Sequence, residues 1–404
     1  MRSRAIVAFS ALIVFSSRFA LAGTCDRPIV SACINDDTLW SHAGPQRFIG
    51  VGGTELVQPG HVGFGITTSY LSRPIILHTP SPGPGGTDEN AVNDQVNGTF
   101  MFAYGVTHQL ELDVIMPMTF AQGGSGTSAI TGGQDLRDTA VRDMRFGATI
   151  AIIPRDRIDP GLLMETSPVA LTARLEVSAP TGDLGQFAGE KGGVFMPSLA
   201  ADYRSGKWFG AAEIGARVRQ TAEFVGARIG TQATLGLGVG YDILKKQLLS
   251  VMVDARMLPT FAEQHDATQT AQGLVSTPNG KHIIPAEWML AVRSAPIKGG
   301  DVAIQLGGGG AIPLGSEAAI TTPRFRFVLG LMYAPLGLDS DKDGILDKDD
   351  KCPVTPGVRE NAGCAPEPPP AQPPPPAPSP PPAAAPQTSP APPNPVSAPP
   401  TEAP

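Results

Sequence analysis

From about Val62 to Tyr333 the hydrophobic positions recur with a period of two. In the last such stretch Phe325, Phe327, Leu329, Leu331 and Tyr333 fall on one side, with Arg324, Arg326 and Gly330 on the other. Residues 231–242 set Ala233, Leu235, Leu237, Val239 and Tyr241 against Gln232, Thr234, Gly236, Gly238, Gly240 and Asp242. Residues 169–178 set Val169, Leu171, Ala173, Leu175 and Val177 against Thr172, Arg174, Glu176 and Ser178. Side chains point alternately to opposite faces of a strand, so each stretch predicts a strand with one apolar and one polar face. Twelve such segments occur, at roughly 61–71, 95–106, 109–118, 139–153, 168–179, 193–204, 207–219, 231–242, 247–258, 284–295, 301–312 and 321–334. Most run about ten to thirteen residues, the length of a tilted strand crossing a bilayer and about twice the usual soluble strand.

The connections alternate in length. Long ones fall at 72–94, 119–138, 180–192, 220–230, 259–283 and 313–320. Tight ones fall at Thr107-His108, Ser205-Gly206, Lys245-Lys246 and Lys298-Gly299, and only 154–167 breaks the order. Outer loops and periplasmic turns of membrane barrels differ in this way, and bacterial barrels take an even number of strands. The expected fold is therefore all-β: an antiparallel transmembrane β-barrel of about 12 strands over 61–335, with both chain ends on the periplasmic side. A soluble β-sandwich shares the alternation but neither the strand length nor the loop asymmetry. Aromatic residues make up 6% of the chain, so the interfacial girdles are expected to be sparse.

Composition narrows the class further. Arg2 and Arg4, the apolar stretch Ala5–Phe15 and Ala20-Leu21-Ala22 have the order of a secretory signal peptide, 1–22, cleaved after Ala22. Beyond it no run of eighteen apolar residues occurs, which excludes helical membrane spans. The four cysteines form two close pairs, Cys25 with Cys33 and Cys352 with Cys364, as expected of two small disulfide loops in an oxidising compartment. Residues 23–60 are then expected to be a periplasmic N-terminal segment with a local disulfide. A net charge of −7 with no basic stripe leaves nucleic acid out as a partner.

The polar strand faces put Glu111, Asp113, Asp143, Glu176, Asp202, Glu213, Asp254 and Asp301 in the lumen, with Arg145, Arg174, Arg217, Arg219, Arg256, Arg293, Arg324 and Arg326. The two signs balance in number. Such groups either pair across strands and fill the interior, or ring the constriction of a narrow pore. The candidate constriction comprises Arg145, Arg174, Glu176, Glu213, Arg217, Arg219, Asp254, Arg256, Arg324 and Arg326. Among the loops, 72–94, 119–138 and 259–283 are long enough to fold inward as plugs.

After the last strand comes Asp339-Ser340-Asp341-Lys342-Asp343-Gly344-Ile345-Leu346-Asp347-Lys348-Asp349-Asp350. Acidic oxygens at positions 1, 3 and 5, glycine at 6, a carbonyl at 7 and carboxylates at 9 and 12 match a calcium loop, with aspartate replacing the usual glutamate at 12. With Lys351-Cys352-Pro353, Thr355-Pro356-Gly357 and Gly363-Cys364 this stretch, 339–365, resembles the thrombospondin type 3 repeat, which in OmpA-like proteins joins the barrel to a peptidoglycan-binding domain. The resemblance implies that Asp339, Asp341, Asp343, Ile345, Asp347 and Asp350 hold Ca2+. Here no globular domain follows: 366–404 is almost entirely Pro, Ala, Ser and Thr, a disordered spacer able to reach ~120 Å at ~3.1 Å per residue.

The sequence has no HExxH, phosphate loop, GxSxG or CxxC, and its six histidines lack metal-like spacing, so no enzyme is expected. Two functions remain. One is a structural, envelope-anchoring barrel in outer-membrane lipid whose calcium linker and tail reach peptidoglycan or a periplasmic protein. The alternative is a porin-like channel for passive diffusion of small solutes.

Overall fold

The computed structural model describes residues 25, 29–79, 87–128, 133–155, 168–244, 248–297, 301–314, 320–335, 341, 343, 345 and 350–366. Signal segment, Asp339, Asp347, the turns at 245–246 and 298–299, and the tail from 367 lie outside these residues.

All twelve expected strands form. They are β1 (Val62–Thr79), β2 (Thr87–Gly105), β3 (Leu110–Gly123), β5 (Arg145–Ile153), β6 (Val169–Ser178), β7 (Val194–Ser205), β8 (Trp208–Arg217), β11 (Gln232–Asp242), β12 (Leu249–Met257), β15 (Ala286–Ile297), β16 (Val302–Ala311) and β17 (Phe325–Tyr333). Each pairs antiparallel with its neighbours, and β1 pairs with β17 from Phe64↔Tyr333 to Ser72↔Phe325, which closes the sheet into a barrel. A two-residue strand β4 (Ala140–Val141) adds to β3. Closure leaves no sheet edge, so the backbone groups of the wall are paired by the wall itself.

Alternation fixes the two faces. Along β17 exposed and buried residues alternate without a break. Phe327, Leu329, Leu331, Leu237, Val239, Leu290, Ile304 and Leu306 are all exposed on the outer surface, between 42% and 66%. This outer apolar band carries aromatic residues at both rims. Tyr104, Tyr203, Trp208 and Tyr333 lie near the end with tight turns; Phe120, Phe146, Phe195, Trp288 and Phe325 lie near the end with long loops. These two ends are termed the turn side and the loop side.

Three connections differ from expectation. Residues 72–94 are largely a continuation of the β1–β2 hairpin, which stays paired to Thr79↔Thr87. The loop at 220–230 holds a small hairpin, β9 (Ala222–Phe224) with β10 (Ala227–Ile229). The loop at 259–283 holds another, β13 (His265–Thr270) with β14 (Gly273–Pro278). Described residues of the first two, Ile75, Val92, Phe224 and Ile229 among them, pack together at the loop-side mouth.

The lumen is filled instead by residues 30–58. The segment 23–60, expected on the periplasmic side, enters at the loop side, where Ser31 N donates to Glu223 O at 2.9 Å and Val30 bridges Phe224. It leaves at the turn side, where Glu55 bridges Arg155 and Pro59 bridges Gly105, and runs on into β1. The N-terminal and C-terminal ends of the barrel chain therefore open on opposite mouths. The Cys25–Cys33 disulfide forms at the loop-side mouth and Cys352–Cys364 in the stretch after β17, both pairings as expected.

Packing explains why the segment stays. At the loop side Ala32 and Ile34 join Ile75, Val92, Phe187, Phe224 and Ile229 in one apolar cluster. Midway, Leu39, Phe48, Ile49 and Val51 pack on Phe209, Met252, Met289, Ala291 and Val328. Small wall residues make the room: a Cβ on Gly238 would lie 2.6 Å from the Phe48 ring. Gly238→Val is expected to destabilise the folded barrel by about 1–3 kcal/mol through overpacking. Urea unfolding in detergent checks this, with a much smaller loss expected in a Phe48→Ala background, where the space is vacated.

Candidate functional site: the occupied lumen

The charged lining is segregated along the barrel axis. Arg145, Arg217, Arg256 and Arg326 come from the loop-side ends of their strands, Arg142 from the link between β4 and β5, and Arg174 from the middle of β6. All six are buried. Toward the turn side come Glu111, Asp113 and Asp202, with Glu213 and Asp254 between the two zones. The numerical balance read from sequence thus conceals a basic collar at the loop side, while the turn-side half carries both signs, with Asp202 paired to Arg155 and Asp242 to Arg204.

The inner segment is tailored to both zones. Asp36 accepts from Arg142 Nη2 at 2.7 Å and from Gln95 Nε2 at 3.0 Å. Asp37 accepts from Arg326 Nη1 at 2.8 Å and Asn97 Nδ2 at 2.7 Å. The Thr38 carbonyl accepts from Arg217 at 3.0 Å and Arg256 at 2.7 Å, while its hydroxyl donates to Glu287 Oε1 at 2.7 Å. Arg145 and Arg217 lie over the Trp40 ring, 5.1 and 4.3 Å from its centroid, within cation–π range. Arg145 also donates to the Ser41 carbonyl at 2.9 Å.

Below the collar the segment turns donor. His42 Nδ1 lies 2.9 Å from Glu176 and Nε2 lies 3.4 Å from Glu213, an arrangement the doubly protonated ring satisfies with both N–H groups. The backbone N–H groups of Gly52 and Val57 donate to Glu213 and Glu111 at 2.7 and 2.6 Å. Ile49 N donates to Asp254 at 3.3 Å, and the Thr54 hydroxyl donates to Asp202. Acceptors of the segment thus meet wall arginines, and its donors meet wall carboxylates.

Most of the ten constriction candidates are where alternation put them. Arg145, Arg174, Glu176, Arg217, Asp254, Arg256 and Arg326 are buried in the lumen, and Glu213 faces the segment through Gly52. Arg219 is ion-paired to Glu190 at the loop-side mouth. Arg324 is exposed, because β17 begins only at Phe325 and the alternation does not extend past the strand end. Sequence reading missed Arg142, Glu287 and the whole contribution of Asp36, Asp37, Trp40 and His42. Glu287 is the second residue of β15 and lies within the expected segment 284–295 on the same face as Arg293, so the alternation itself points to it. The other signal is the charge content of 30–60, where an Asp-Asp pair sits in an otherwise weakly charged stretch.

Outside the lumen, β13 and β14 bring His265 Nδ1 within 2.6 Å of Ser276 Oγ. Ser276 also donates to Glu223, and His265 Nε2 faces Arg228 at 2.9 Å. The glutamate thus holds the hydroxyl, and a guanidinium stands where a carboxylate would have to orient the ring of a nucleophilic triad. In the C-terminal stretch, carboxylate oxygens of Asp341, Asp343 and Asp350 lie within 4.8 Å of one another.

No family model matches the chain, and no curated protein matches it. Among solved structures, the COG4313 outer membrane channel from Pseudomonas putida F1 is similar with a TM-score of 0.47 at 15% identity, over 70% of this chain and 98% of that one. The KdgM porin gives a TM-score of 0.35 at 6% identity, over 68% of this chain and 99% of that one. The Ralstonia pickettii toluene transporter TbuX gives 0.32 at 11%, over 68% and 89%.

Asp36 is the only carboxylate in ion-pair range of Arg142 among the described residues. Breaking a buried pair by removing one partner costs about 3–5 kcal/mol because the other charge is stranded. Asp36→Asn is expected to lower stability by that order, and Asp36→Asn with Arg142→Gln by clearly less. Urea unfolding gives the cycle, and tryptic cleavage at Arg47 in the folded barrel reports whether the segment has loosened.

Proposed function

We propose that this chain is an outer-membrane channel for small solutes, held closed by its own N-terminal segment. The outer apolar band, its aromatic rims and the asymmetry of loops and turns support a barrel that lies in outer-membrane lipid, with the turn side and C-terminal stretch toward the periplasm. The observation that carries the channel reading is the polar seam between wall and segment. A barrel that only anchors is expected to fill its interior with its own wall side chains. Here the filling is a separate strand of chain, joined to the wall by ion pairs and hydrogen bonds at almost every level. Groups that make such contacts are hydrated once the segment leaves, and what remains behind is a charged lumen of the kind that passes solutes. Anchoring, the first of the two readings from sequence, draws on the linker and tail; the barrel interior favours transport.

The test is single-channel recording from the refolded mature protein in planar bilayers. The wild-type chain is expected to show rare or small openings, and Asp36→Asn/Asp37→Asn longer or larger ones of reproducible amplitude. Silence from both proteins, each verified as folded, would sink the channel.

The linker gives a second reading, that 339–365 binds Ca2+. Asp341, Asp343 and Asp350 bring three carboxylates together, and Asp350 Oδ2 is buried with no hydrogen-bond partner. The same loop is held by Asp343 accepting from Gly357 N at 2.8 Å and by the Cys352–Cys364 disulfide. Hard oxygen donors in this number suit calcium, which would offset their mutual repulsion. Asp339, Asp347 and the Ile345 carbonyl would complete the set. The full-length protein is expected to sensitise bound terbium, displaceable by calcium, and Asp343→Asn/Asp350→Asn to lose this signal. A signal unchanged in that variant would place the metal elsewhere.

A further inference from the structure

Arg142 sits in a bed of neutral groups. Its guanidinium donates to Gln95, Asn97 and Thr119 of the wall at 3.3, 3.4 and 3.1 Å, and to Asn35 of the segment. Its counter-charge, Asp36, comes from the segment. Arg217 has no carboxylate in ion-pair range among the described residues, and rests on the Thr38 carbonyl and the Trp40 face. The wall carboxylates paired with the six collar arginines are two, Glu176 with Arg145 and Glu287 with Arg256 and Arg326. Asp143 nearby is turned to the backbone N–H groups of Gly182 and Glu190, each at 2.7 Å.

From this we infer that the collar is a binding site for small organic anions, and that Asp36, Asp37 and Trp40 occupy it as a built-in ligand. The inference rests on the channel reading and names its solute class. When the segment moves aside, the amides and hydroxyl around Arg142 cannot neutralise it, and Glu287 is shared between two guanidiniums. An incoming carboxylate restores the lost pairs with charge-assisted hydrogen bonds to Arg142 or Arg326. A flat ring attached to that carboxylate replaces Trp40 between Arg145 and Arg217, where a π face meets two cations. A cation gains nothing at this level, since each collar carboxylate already has an arginine. The collar therefore selects for anions, and among them for aromatic carboxylates.

The experiment uses the full mature chain in planar bilayers under a tenfold KCl gradient, with benzoate, benzyl alcohol and benzylammonium as probes of equal ring size. Open events of the wild-type protein are expected to reverse toward the chloride equilibrium potential. Benzoate is expected to reduce open current at concentrations at least tenfold below those needed for the other two. Arg142→Gln/Arg217→Gln should move the reversal potential toward zero and weaken benzoate block about tenfold, while openings persist. Should that variant fail to fold, the wild-type reversal potential and the three-probe comparison decide alone. Openings that prefer potassium, or equal block by benzylammonium, overturn the anion site and leave the channel standing; a folded protein without any openings overturns both.

Discussion

A guanidinium withdrawn from bulk water must find a counter-charge or a dense set of acceptors, and the loop-side half of this lumen gathers six of them. The wall supplies two paired carboxylates for that collar. The shortfall is met from inside, by Asp36, Asp37, the Thr38 and Ser41 carbonyls and the Trp40 ring. Much else follows from this constraint. The segment must present its carbonyls and side chains sideways to the wall, and the wall opposite its apolar residues must leave room, as Gly238 does against Phe48. Charge thus sets the path of the chain, and apolar packing fills what is left.

The wall was legible because a barrel in lipid imposes one rule on every strand. Period-two alternation in 325–333 or 169–178 reports an apolar surround and a polar interior directly, and the structure reproduces it residue by residue. The reading weakened where that rule stops applying. Beyond Ser72 and before Asn93 the β1–β2 hairpin continues with three successive apolar residues, Ile75, Ile76 and Leu77, paired to Val92, Asn90 and Glu89, so pairing persists there without the alternation that announces it. Arg324 was placed inside by extending the pattern one residue past the strand that creates it.

The inner segment was illegible for a different reason. Its contacts are with residues up to more than two hundred positions away, such as Thr38 with Arg256, and they follow the lumen's shape instead of any repeat along the segment. Nothing periodic in 30–58 separates a chain lying in a barrel from one lying beside it. Arg142 escaped notice because it stands in the link between β4 and β5, outside the alternating frame, although it is among the most buried charges of the protein.

The closed seam between β1 and β17 also imposes an order of events on assembly. Residues 30–58 reach from one mouth to the other and join β1 directly, so they are encircled by the sheet that their own continuation begins. A chain cannot easily be drawn lengthwise through a lumen that is lined with unmatched charge and already round. The simpler route is wrapping: the segment lies along the first strands while the sheet is still open, and the later strands curl over it. On that route the inner segment serves as a template around which the wall is bent, and the final pairing of β17 with β1 encloses it.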